Sequence, residues 1–238
     1  MNKKYFVIPG NPAVAGEYIS WIDEIKKEKP DLDVSYATSY VIFDRKLNYK
    51  KYHDEMIHHY EQTICKPDNP EKIILISHSA GSYFALRLLE KYPEKIEKII
   101  ILFPYIGYST IKLLNFVYIP YYIDRLLPLS ETVSACKNIL KLWYKDIVNI
   151  SKTELTANLR FGVRQCTYFI KNKFDIEKIK GYKDRIFFLY AKEDKWCPEQ
   201  TINLMNPVCT HQETLVPHDF IVSKEHRNQI TKTILPHL

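Results

Sequence analysis

Several features that would place the chain in a class at once are missing from it. The five cysteines (Cys65, Cys136, Cys166, Cys197 and Cys209) are odd in number and widely separated, with no Cys-x-x-Cys pair. This pattern argues against a disulfide framework and a cysteine zinc site, and points to a reducing compartment. No window of about 20 residues is apolar enough to span a bilayer. The apolar run at 5–8 is broken by Pro9-Gly10 before it reaches the length of a secretory signal core. A cytoplasmic protein is the expectation. There is no block of like charge: 34 Lys and Arg against 28 Asp and Glu leave a formal net charge of +6, spread along the chain. No nucleic-acid partner is therefore expected. His53, His58 and His59 share one predicted helix without i, i+4 spacing, so they are expected to be solvated or core histidines, with no metal site. Internal repeats and low-complexity segments are also absent.

What is present describes an ordinary folded chain of 238 residues, 46% hydrophobic and 26% charged, enough to bury a core as a single domain. Short apolar runs at 5–8, 34–38, 73–77, 99–103 and 186–190 alternate with helical patterns at 17–28, 49–64 and 82–91, and a last helix is expected at 226–234. Runs rich in Ile, Val, Phe and Leu are what strands buried on both faces require. Their alternation with helices predicts an α/β fold, a mostly parallel central sheet flanked by helices. The rhythm breaks after Phe103-Pro104. No strand pattern returns before Ile186, a gap far longer than a crossover needs. The intervening helical patterns at 131–150 and 153–171 predict a helical cap inserted at 105–180. Its opening stretch, 113–129, is very apolar but interrupted by Pro120, Asp124, Arg125 and Pro128. That stretch fits a greasy pocket wall, the cap's own core, or a segment lying in a lipid interface.

The strongest local pattern is Ile73-Ile74-Leu75-Ile76-Ser77-His78-Ser79-Ala80-Gly81-Ser82. A strand runs into a tight turn and then a helix, with Ser79 at the apex, which is the context of a nucleophile elbow. The bend demands small residues two before and two after; Gly81 complies and Ser77 stands in for the usual glycine. The plainer alternative is a turn in which Ser79 only caps the helix. An activated serine needs a base, and the base needs a carboxylate to orient it. In the α/β-hydrolase fold these follow in the order serine, acid, histidine, the acid after a late strand and the histidine near the C-terminus. Asp194 follows the run at 186–190, and His218 precedes the last helix. Glu193 and Asp219 are the competing acids, the first nearer the strand and the second adjacent to His218. His78 should point to the sheet side of the elbow. Two main-chain N–H groups are the candidate oxyanion donors, that of Ala80 at the helix start and that of Asn11 in the loop Ile8-Pro9-Gly10-Asn11-Pro12-Ala13, where Pro12 has no N–H to offer. The expected activity is that of a serine hydrolase on a carboxylic ester, with no cofactor. A thioesterase, or a lipid-surface protein with little or no hydrolysis, is the alternative.

Several segments together also resemble one family. Ile8-Pro9-Gly10-Asn11-Pro12 with Tyr18, His53-Asp54-Glu55-Met56-Ile57-His58-His59, Leu102-Phe103-Pro104-Tyr105-Ile106, Asp194-Lys195-Trp196-Cys197-Pro198 and His218-Asp219-Phe220-Ile221-Val222 are similar, in this order, to the lipid-droplet-associated hydrolases. The resemblance runs from Tyr5 to about Val222. It implies an α/β-hydrolase fold with Ser79, Asp194 and His218 as triad, an ester or lipid-ester substrate such as a sterol ester, and association with lipid droplets. The departures are Ser77 for Gly, Ala13 where a further Gly is usual, and a shorter chain.

Overall fold

The computed structural model describes residues 3–11, 13, 15–38, 47–66, 72–110 and 152–238, with residues 152–157, 159 and 160 by backbone alone. Six strands form one sheet: β1 (Lys3–Ile8), β2 (Asp33–Tyr36), β3 (Lys72–His78), β4 (Ile96–Leu102), β5 (Ile186–Tyr190) and β6 (Thr210–Glu213). Their order is β2-β1-β3-β4-β5-β6, and every neighbouring pair is parallel. The chain lays down β1 and β2 toward one edge, then crosses back to build β3 to β6 toward the other. The order reverses between β1 and β3, and in parallel sheets the crevice beyond the strand ends at such a switch point is where ligands bind.

Helices α1 (Ala15–Glu28), α2 (Tyr49–Thr63), α3 (Gly81–Lys91), α4 (Lys152–Lys171), α5 (Glu199–Met205) and α6 (Lys224–Ile234) cover the sheet. The alternation of β3 sorts them into two layers. Ile73 and Leu75 face a core completed by α2, α3 and α4, through residues such as Tyr60, Phe84, Phe161 and Phe169. Ile74 and Ile76 face a second core completed by α1 and α6, through Trp21, Ile25, Ile230 and Ile234. A buried cation pins the second layer: Arg227 on α6 donates to Glu17 and Glu24 of α1 and to the carbonyl of Ile221.

The expected α/β-hydrolase architecture is the one found, with differences at two places. The strand β6 was not expected. All four of its residues are exposed, so it is a polar edge without the apolar run that marks its neighbours. Of the expected cap, the helix at 153–171 is present as α4, and it packs on α2 within the first core. The expected helix at 131–150, Cys136 and the apolar stretch 113–129 lie outside the described residues.

Candidate active site

At the end of β3 the chain turns so tightly that Ser79 adopts φ 50, a left-handed conformation that a residue with a Cβ rarely takes. Main-chain hydrogen bonds hold it there. The Ser79 N–H donates to Leu102 O at 2.9 Å, and the Ser79 carbonyl accepts from Ser82 N at 3.0 Å and Tyr105 N at 3.1 Å. Such strain persists only where the surroundings over-determine it. Two glycines are part of those surroundings. A Cβ on Gly81 would meet the carbonyl oxygens of Ile8 and Pro9 at 2.5 and 2.6 Å, and one on Gly10 would meet the Ser79 Cβ at 2.9 Å. The Ser77 hydroxyl, on the α3 face, lies 3.4 Å from both Ser82 Oγ and Ile100 O.

The structure brings Ser79, His218 and Asp194 together. Ser79 Oγ lies 2.9 Å from His218 Nε2, and His218 Nδ1 lies 2.7 Å from Asp194 Oδ2. A carboxylate only accepts, so Nδ1 carries the ring proton and Nε2 is left to accept from the serine. The other carboxylate oxygen, Oδ1, accepts from Trp196 N at 2.8 Å. With both oxygens bonded and the side chain 1% exposed against 18% for His218, Asp194 has one orientation open to it. The competing acids, Glu193 and Asp219, are exposed, while the partner of His218 Nδ1 is Asp194. Helix α5 is capped by Pro198 without a side-chain bond.

The oxyanion-loop candidate, Asn11, sits beside the switch point between β1 and β3. Gly10 holds the loop against Ser79, and helix α4 grips it from the other side. Asn158 Oδ1 accepts from Ala13 N at 2.6 Å. One turn later, a Cβ on Gly162 would meet the Asn11 side-chain nitrogen at 2.4 Å. A glycine inside a helix is unfavourable, and here it makes room for Asn11. Ala80, the other candidate donor, is the N-cap of α3.

One buried pair was missed in the sequence. His78 points to the α1 side, as alternation from Ser77 requires, and its Nδ1 meets Tyr18 Oη at 2.5 Å. Tyr18 Oη also accepts from Gly10 N at 2.8 Å, and His78 Nε2 meets the carbonyl of His218 at 2.9 Å. Burial, and then the neighbouring His218, hold the His78 ring well below the usual histidine range. The histidines of α2 behave as a helix of mixed exposure predicts. His53 is buried, stacked 3.6 Å from the Tyr168 ring and bonded to Gln165, and burial lowers it to about 4. His58 is exposed. Among the described residues no group of His, Cys, Asp and Glu could hold a metal ion. Burial pushes the thiols of Cys65, Cys166 and Cys209 up to about 12 and that of Cys197 well above its ordinary value, the wrong direction for nucleophiles.

Comparisons with known proteins bear on the family and the fold. A family model described as lipid-droplet associated hydrolase matches residues 1–226. A human protein named lipid droplet-associated hydrolase is 30% identical over 148 residues, which are 54% of this chain and 45% of the human one. A Gallus gallus protein of the same name is 24% identical over 230 residues, 82% of this chain and 71% of that one. Among solved structures, a carboxylesterase of the thaumarchaeon Nitrososphaera gargenis gives a TM-score of 0.64 at 11% identity, over 99% of this chain and 90% of that one. This last likeness is one of fold. With the family model spanning residues 1–226 and the parallel sheet carrying its elbow at the switch point, the chain belongs to the lipid-droplet associated hydrolase family and has an α/β-hydrolase fold.

Proposed function

We propose that the protein is a serine hydrolase that cleaves a carboxylic ester of lipid type through an acyl-enzyme on Ser79. The observation that carries this reading is the unbroken series Asp194 Oδ2, His218 Nδ1, His218 Nε2 and Ser79 Oγ, with separations of 2.7 and 2.9 Å. In the first half-reaction Ser79 Oγ attacks the ester carbonyl while His218 Nε2 takes its proton. The negative charge that develops on the carbonyl oxygen is held by the main-chain N–H groups of Ala80 and Asn11. Asp194 stabilises the imidazolium without taking the proton itself. His218 then protonates the departing alcohol, and the acyl group stays on Ser79. In the second half-reaction a water gives its proton to His218 and attacks the acyl carbonyl, releasing the acid and restoring the serine.

The lipid character of the substrate is supported by the names of the relatives and by the apolar surroundings of the base. The rings of Phe103 and Trp196 lie 5.9 and 6.2 Å from that of His218. A lipid-droplet location belongs to the same proposal; among the described residues no helix is long and apolar enough to cross a membrane.

The test is hydrolysis of p-nitrophenyl esters of graded chain length by the wild type and by Ser79→Ala. The wild type is expected to turn over and to prefer longer chains, and the variant to lose at least about a thousandfold in kcat. A fluorophosphonate should label Ser79 in the wild type, read by mass spectrometry. Equal rates for the two proteins would overturn the proposal.

A further inference from the structure

His78 stands one residue before the nucleophile, yet the series Asp194–His218–Ser79 does not include it. Its ring is buried among those of Tyr18, Phe103, Phe220 and His218, with centroids 5.0 to 6.2 Å away. An apolar side chain would fill such a place without burying anything polar. Instead both ring nitrogens are engaged, and their partners fix the direction of every bond. The carbonyl of His218 can only accept, so His78 Nε2 carries the proton. Nδ1 must then accept, and the Tyr18 hydroxyl donates to it. With its proton committed there, the Tyr18 oxygen accepts from Gly10 N–H. The chain runs one way, from Gly10 N–H through Tyr18 and His78 to the carbonyl of His218. Its two ends are the loop that carries Asn11 and the residue that carries the base.

We propose that Tyr18 and His78 are positioning residues that hold the oxyanion loop and the base loop in a single register, so that Asn11 N–H, at the carbonyl oxygen, and His218 Nε2, at Ser79 Oγ and the leaving oxygen, serve the same substrate ester. This inference rests on the reading of Ser79, His218 and Asp194 as a hydrolytic triad. A buried polar chain is favourable only when every member is satisfied, and here every member is. His78 also stays uncharged. A protonated His78 would set a second positive charge beside the imidazolium that His218 becomes during the reaction, and burial excludes it.

The experiment counts active sites by fluorophosphonate titration and expresses turnover of p-nitrophenyl butyrate per titrated site. Tyr18→Phe removes one oxygen from the chain. It should lower kcat per site about tenfold to a hundredfold, with KM moved less than about twofold. His78→Leu breaks the same chain and should lose as much. His78→Gln keeps an N–H able to reach the His218 carbonyl and should recover part of the loss. The Tyr18→Phe/His78→Leu double variant should be little worse than either single one, because both cut the same connection. A pair that is merely structural would reduce the number of titratable sites and leave the turnover of each unchanged. Unchanged kcat per site in Tyr18→Phe, losses that multiply in the double variant, or a Gln variant no better than Leu would each overturn the inference. Should His78→Leu not fold, Tyr18→Phe and His78→Gln decide the matter. Failure of the underlying triad reading is visible elsewhere, in a wild type that is unlabelled at Ser79 and turns over no ester, and it overturns both.

Discussion

Ser79 and His218 meet at 2.9 Å, but the chain holds them there by different means. The serine is fixed by its own backbone: three main-chain hydrogen bonds, a left-handed φ, and two glycines that let neighbouring strands close to contact. The histidine sits in a loop between Leu215, 99% exposed, and Phe220, fully buried. Beyond one turn closed by Phe220 N on Pro217 O at 3.1 Å, its restraints come from side chains outside the loop: Asp194 on the ring, His78 on the carbonyl, and Arg227 on the carbonyl of Ile221 three residues on. A backbone-fixed group can be lost only by changing the turn, whereas a side-chain-fixed group can be displaced by one distant substitution.

The largest expected effect comes from cutting the side-chain restraint. Asp194→Asn keeps the shape, but its amide has one oxygen and so cannot accept from both Trp196 N and His218 Nδ1, and the His218 tautomer is no longer enforced. A loss of about three to four orders of magnitude in kcat is expected, with the melting temperature little changed, measured on p-nitrophenyl butyrate. Next comes the backbone. Gly81→Ala puts a Cβ 2.5 and 2.6 Å from two carbonyl oxygens of the β1 exit, and neither main-chain oxygen can swing away. The elbow and the oxyanion loop must move apart. We expect about 2–3 kcal/mol of destabilisation in urea titration and about a hundredfold lower kcat. The two variants separate the modes of restraint: Asp194→Asn loses rate alone, Gly81→Ala loses both.

The backbone-fixed half was also the legible half. Apolar runs bounded by turns marked five of the six strands, and the run 73–82 displayed the elbow because its requirement for small residues is local. The convergence of Asp194 and His218 on Ser79 was reachable through chain order, since the fold dictates which loops converge. What depended on contacts through space was not. Tyr18 and His78 lie 60 residues apart, and nothing in either local sequence marks them as a pair. Gly162 reads as an indifferent helix interior until Asn11 is seen against it. The strand β6 escaped because an exposed edge has no apolar pattern to show.

An effect on stability alone, with no loss of rate, follows from His53, on the α2–α4 side, away from both restraints. Its folded value of about 4 lies below the ordinary 6.5 because burial disfavours the charged ring. Above pH 6.5 the group is neutral in both states and contributes no pH dependence. As the pH falls from 6.5 to about 4, the unfolded chain takes up a proton that the folded one refuses. Stability should therefore drop across that window, by up to about 3 kcal/mol from this residue. Urea titrations at pH 7 and pH 4.5 check it. His53→Phe, which keeps the stacking against Tyr168 and Phe84, should show a shallower acid loss.

The smallest effect should come from the outward side of the base loop. Leu215 stands in water three residues before His218 and touches neither core. If the loop is held entirely from within, by Asp194, His78 and Arg227, the outward side chain has no part in placing the imidazole. Leu215→Ser should then change stability by less than about 0.5 kcal/mol, and turnover of a short soluble ester should stay within about twofold. A drop in kcat per titrated site of tenfold or more would show that the loop's exposed half also sets the histidine. The contrast between a backbone-fixed serine and a histidine fixed from behind would then have to be redrawn.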